Sequence, residues 1–215
     1  MTHTRRSRSS GIIKLWILGL GALFFLMIAG SVLLLGTQLS STHSSALPVL
    51  GEAPEFHLTE RSGAPFSRAN LAGSVWVADF IFTRCPGMCP LLSTRMATLQ
   101  QQRQGEQGRP IRLVSFSVDP EWDTPERLRE YAEKYHAHPH QWVFLTGPTQ
   151  TMTQLIIQGF RLSVAPAQAG SQEPILHSDR LVLVDPSFRI RGYYHGSDAE
   201  DFDKLQRDIK VLLHE

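Results

Sequence analysis

Cysteine is nearly absent from this sequence: 215 residues contain two, Cys85 and Cys89. A disulfide-stapled scaffold and a four-cysteine zinc site are both excluded by that count. Excess charge of one sign is also missing. Four of the 21 basic residues (Arg5, Arg6, Arg8 and Lys14) precede the first apolar run, which leaves 17 against 20 acidic residues in the remainder. The remainder therefore carries about −3, no footprint for nucleic acid. There is no internal repeat, and Lys and Arg are missing altogether between Gly36 and Leu50.

A long uncharged run is present. Leu15 to Leu35 is 21 residues without a charge, enough for a helix to cross a hydrocarbon core. The basic residues on its N-terminal side and their absence on the far side predict a cytoplasmic tail over 1–14, a transmembrane anchor over 15–35 and an exported C-terminal part. The competing reading is a cleaved signal peptide, whose apolar region is typically about 7–15 residues. No cysteine follows the run, so a lipoprotein anchor is not expected. The Ser, Thr, Ala and His of 36–48 read as a flexible tether.

The folded domain is expected over 49–215. Phe56 to Leu58 with a turn at Ser62-Gly63 predicts a hairpin, and Val75 to Phe82 is an apolar run of strand length, buried on both faces. A helix over Leu91 to Gln104, a strand over Ile111 to Val118 and a helix from Thr124-Pro125 to about Tyr135 follow. Trp142 to Leu145 reads as a strand, Thr149 to Gly159 as a helix, and Ala165 to Pro174 as a loop. Leu181 to Val184 and Ile190 to Tyr194 read as strands turning at Asp185-Pro186, with a last helix over Ala199 to Leu213. Strands alternating with helices and ending in a strand pair predict an α/β domain with a partly antiparallel sheet, the order of a thioredoxin-like fold.

The two cysteines fall where the buried strand gives way to a helix, in Phe82-Thr83-Arg84-Cys85-Pro86-Gly87-Met88-Cys89-Pro90. With Pro90 at the first helical position, Cys89 is placed at the cap, where unpaired amides lower a thiol pKa. A plain stabilising disulfide is the bland alternative, but the gain from closing so short a loop is small.

That segment, with Val118-Asp119-Pro120-Glu121-Trp122-Asp123-Thr124-Pro125 and His177-Ser178, resembles the Sco/SenC family over roughly Leu50 to the C-terminus. The resemblance implies a membrane-tethered, thioredoxin-like protein that binds one copper through Cys85, Cys89 and His177. It also implies assistance in assembling the binuclear copper centre of cytochrome c oxidase. The implied partners are the copper-accepting oxidase subunit and a copper donor protein, and the implied location is the bacterial inner membrane with the domain on the periplasmic side. Two thiolates and an imidazole suit Cu(I) and can hold Cu(II), whereas zinc wants a fourth donor, for which only Asp119 or Asp179 offers itself. Many members carry an acidic residue directly before the histidine, and here that place is Leu176.

Other residues have weaker signals. Asp119 reads equally as a turn residue and as an outer partner of the metal site, and Met88 as part of an apolar partner surface. His136, His138 and His140 read as a solvated loop rather than a metal cluster. Asp123-Thr124-Pro125 needs no role beyond starting a helix. A thiol-disulfide reductase using Cys85 and Cys89 as its redox pair is the second functional reading, although such enzymes generally place two residues between the cysteines and three occur here. A thiol peroxidase would leave the second cysteine and the histidine without a purpose.

Overall fold

The computed structural model describes residues 47–102, 111–166 and 175–214, together with Met27, Ile28, Gly30 and Ser31. The chain divides into two units, Met1–Ser45 and Ala46–Glu215. In the first, the four described residues are helical. The tail, the rest of the expected 15–35 anchor and the tether up to residue 46 lie outside the described residues. Among the described residues no helix is long and apolar enough to cross a membrane.

The second unit begins with β1 (Gly51–Glu52), β2 (His57–Glu60), β3 (Pro65–Ser67) and a 3-10 turn, Arg68–Leu71, before β4 (Val75–Ile81). There follow α1 (Met88–Gln102), β5 (Ile111–Ser117), α2 (Pro125–Lys134), β6 (Trp142–Thr146) and α3 (Thr149–Gln154), which continues as a π-turn over Leu155–Gly159. The last elements are β7 (Val164–Pro166), β8 (Ile175–His177), β9 (Arg180–Val184), β10 (Arg189–His195) and α4 (Ala199–His214).

Among the described residues, eight strands form one sheet in the order β1-β10-β9-β4-β5-β6-β2-β3, and β7 pairs with β8 in a separate ribbon. β4, β5 and β6 run parallel, while β9 joins β4 antiparallel. All seven residues of β4 are buried, as a run that is apolar but for Asp79 predicts for a strand covered on both faces. α1 and α4 pack on β4, and α2 on β6. α4 does so with Phe202, Leu205, Ile209 and Leu212, a stripe at helical spacing.

The register decides where chemistry can happen. Ile81 pairs with Ser117, Ala78 with Val182 and His195 with Arg180, so the ends of β4, β5 and β10 and the start of β9 share one end of the sheet. In layered α/β domains that end is where ligands are taken up.

Several expectations need correction. The first helix starts at Met88, ahead of the expected Leu91. The predicted helix over Thr149 to Gly159 loosens into the π-turn at Leu155. A Cβ on Gly159 would sit 2.6 Å from Pro54 Cγ, so the turn closes tightly over the segment before β2. The ends of the segment read as a loop over Ala165 to Pro174 form the β7–β8 ribbon, and 167–174 lies outside the described residues.

Candidate metal centre

β4 ends at Ile81 and the chain turns through the buried Phe82 and half-buried Thr83 to Arg84 and Cys85, whose amide donates to Phe82 O (3.2 Å). The amide of Cys89 donates to Cys85 Sγ (3.4 Å), and the amide of Phe82 donates to Cys89 Sγ (3.5 Å). The two cysteines are not joined in a disulfide and both are buried, Cys89 completely. Met88, half-buried between them, packs against the core.

Cys89 departs from the expected acidic thiol. It occupies the second position of α1, and Pro90 the third, where a missing N–H still costs nothing. The hydrogen bond it shares with Cys85, together with burial, pushes its pKa well above the ordinary value, and the Phe82 amide offsets only part of this. Desolvation of a buried thiolate outweighs the helix N-terminus. In the reduced, metal-free protein Cys89 should therefore resist iodoacetamide at about pH 8, where an ordinary thiol is partly ionised. Peptide mass mapping checks this, and Cys89 modified ahead of Cys85 would contradict the burial argument.

Two carboxylates hold the Cys85 turn. Asp119 pairs with Arg84 Nε at 2.7 Å, and the Arg84 guanidinium lies over Trp122, 4.8 Å from the ring centroid. Asp123, fully buried, accepts from Thr83 Oγ1 (2.6 Å), the Thr83 amide (3.2 Å) and Ser117 Oγ (2.6 Å). Asp123 thus does more than start a helix, and Asp119 braces the turn as well as shaping its own. Burial raises the Asp123 pKa against those three bonds. Replacing Asp123 by Ala strands buried donors, and we expect a loss of about 2–3 kcal/mol, read as a lower urea midpoint. A midpoint equal to that of the native protein would remove Asp123 from the brace.

Asp79 lies beneath, in the middle of β4, fully buried. Ser115 Oγ donates to its carboxylate (2.5 Å), and Trp142 Nε1 donates to Ser115 Oγ (2.8 Å). Its field is among the smaller causes that raise the Cys89 pKa. A charge inside the run Val75 to Phe82 was the signal that marks it.

His177 ends β8 and pairs with Val164, two residues before Asp179, whose carbonyl accepts from Gly196 N (2.9 Å). The side chains of Leu176 and His177 lie outside the described residues. Gly196 in turn abuts Leu92 of α1: a Cβ there would be 2.3 Å from Leu92 Cδ2. The backbone leaving His177 is therefore linked, through Gly196, to the helix that carries Cys89. In the histidine loop the His138 and His140 ring centroids lie 5.7 Å apart, and among the described residues no three His, Cys, Asp or Glu side chains converge as a metal site.

Residues 48–214 match the SCO1/SenC family. The chain belongs to that family. The SCO1 protein homolog of Bacillus subtilis is 32% identical to this SCO1/SenC protein over 164 residues, covering 76% of this chain and 83% of that one. The solved structure of BsSco, described as a member of the Sco family of cytochrome c oxidase assembly proteins in which a disulfide switch was identified, is 30% identical. It superposes with a TM-score of 0.67 over 77% of this chain and 96% of its own. Arabidopsis thaliana ScoI, solved with copper bound, is 25% identical with a TM-score of 0.64, covering 76% of this chain and 99% of its own. The mixed α/β fold of this SCO1/SenC protein is thus that of the thioredoxin-like Sco structures.

Proposed function

We propose that this protein carries copper to the binuclear copper centre of cytochrome c oxidase, holding one ion through Cys85, Cys89 and His177. The observation that supports this most is the pair of buried cysteines, not joined in a disulfide, at the strand-to-helix junction, at the sheet end to which the His177 strand also leads. The donor chemistry fits the cargo: soft sulfurs favour Cu(I), imidazole also accepts Cu(II), and three donors leave room for a donor from the acceptor. The copper-bound Arabidopsis structure and the assembly role stated for BsSco support the same reading. In this proposal residues 15–35 anchor the chain in the bacterial inner membrane with the domain on the periplasmic side. A copper donor protein loads it there.

A second reading, a thiol-disulfide reductase that keeps the acceptor cysteines reduced, draws on the same cysteine pair. Equilibrium titration of the reduced full chain with Cu(I) against a chromophoric chelator tests the first reading. We expect one copper per chain, lost in Cys85→Ser and in Cys89→Ser alike. Native-like affinity in either variant would end the assignment.

A further inference from the structure

The chain just beyond His177 is fixed from several sides. The Ser178 amide donates to Ser163 O (3.2 Å), and the Asp179 carbonyl accepts from Gly196 N (2.9 Å). The Asp179 carboxylate takes His195 Nδ1 on one oxygen at 2.8 Å and the Ser197 hydroxyl on the other. A carboxylate only accepts, so Nδ1 of His195 bears the proton. His195, Gly196 and Ser197 are consecutive, and the glycine between the two side-chain partners is pressed into α1. A Cβ on it would lie 2.3 Å from Leu92 Cδ2, 3.1 Å from Asp179 O and 3.3 Å from Leu181 Cγ. Leu92, fully buried, stands one helical turn beyond Cys89.

The stability of the domain does not call for this arrangement. His195 is 47% exposed at the end of a strand and Asp179 19%, and a contact so open to solvent on one side adds little stability. What the arrangement does is geometric. It ties the second residue after His177 to the end of β10, and through Gly196 to the helix that holds Cys89, with Ser178 alone between His177 and that anchored residue. Metal affinity is sensitive to how firmly ligands are held by groups that do not touch the metal.

We propose that Asp179, clamped by His195 and Ser197 and seated on Leu92 through Gly196, is a positioning residue that sets His177 relative to Cys89. The proposal rests on the reading of His177 as a copper ligand. It assigns a use to Asp179, His195, Gly196 and Ser197 that the ligand set alone does not. Asp179 acts through His177 and donates nothing to the ion.

A double-mutant cycle tests it on the reduced full chain in detergent, with Cu(I) as the probe against a chromophoric chelator. Asp179→Ala should weaken binding about 10–100-fold, with Asp179→Asn intermediate because it keeps one acceptor oxygen, and His195→Ala in the same direction. In a His177→Ala background Asp179→Ala should cost nothing further. An equal loss in both backgrounds would make Asp179 a general structural residue and overturn the proposal, as would unchanged affinity in Asp179→Ala. If His177→Ala alone leaves affinity untouched, the ligand reading itself fails, and that result is separate from a failure of the Asp179 variants. Thermal unfolding of each variant is followed in parallel, and Asp179→Asn with His195→Ala carries the comparison if the Ala variant does not fold.

Discussion

Protein in which Cys85 is joined to Cys89 is expected to bind no copper, while the reduced chain binds one ion. A disulfide consumes both thiolate donors at once, and a lone imidazole does not retain copper against a competing chelator. The pair is set for that conversion. The Cys89 amide lies 3.4 Å from Cys85 Sγ, and the two thiols already share a hydrogen bond. Closing so short a loop adds little stability, so the oxidised form is not locked by chain entropy. Reduction should therefore switch binding on. In the reduced state Cys89 keeps its proton across neutral pH, because the bond to Cys85 and burial raise its pKa. Metal loading must release that proton, so affinity falls as pH is lowered. The measurement is the sulfur-to-copper charge-transfer absorption of the Cu(II) form, which appears only after reductant is added and removed. Its appearance in fully oxidised protein would mean that other ligands hold the ion.

The parts of this fold that could be read from sequence are those settled by neighbours along the chain. β4, β5 and β6 follow from short, largely apolar runs, α2 from Thr124 and Pro125, and the β9–β10 hairpin from Asp185-Pro186, whose carboxylate accepts from the Ser187 and Arg189 amides (2.9 and 3.0 Å). What was not legible depends on residues far apart. The π-turn ending at Gly159 closes over Pro54, and the short β7–β8 ribbon forms only because its ends meet. Neither leaves a periodic signal.

The candidate site divides in the same way. The cysteine pair announces itself through the prolines that bracket it, but the acid strength expected for Cys89 does not hold. The helix begins earlier than Pro90 suggested, and the hydrogen bond to Cys85 together with complete burial raises the thiol's pKa. Asp123 reaches Thr83 across 40 positions of sequence, a contact with no local trace. His177 entered through resemblance alone, since one histidine in a loop carries little information. The Asp179–His195 contact was equally invisible, because nothing in either residue's surroundings names the other.

Replacing His177 by Ala should separate the two chemistries of the cysteine pair. With one of the three proposed donors removed, Cu(I) affinity is expected to fall by more than the roughly 100-fold that loss of an outer partner brings. Thiol-disulfide exchange should continue at the native rate, because it needs only Cys85, Cys89 and access to them. The amides that hold the sulfurs belong to Phe82 and Cys89, so the variant leaves their geometry in place. Competition titration and a stopped-flow exchange assay on the same sample give both numbers. The cellular consequence then decides between the two functions. A copper carrier without His177 fails to support oxidase assembly, whereas a reductase without it still succeeds. Assembly proceeding normally in cells that hold only the His177→Ala protein, with copper binding lost and exchange intact, would hand the function to thiol chemistry.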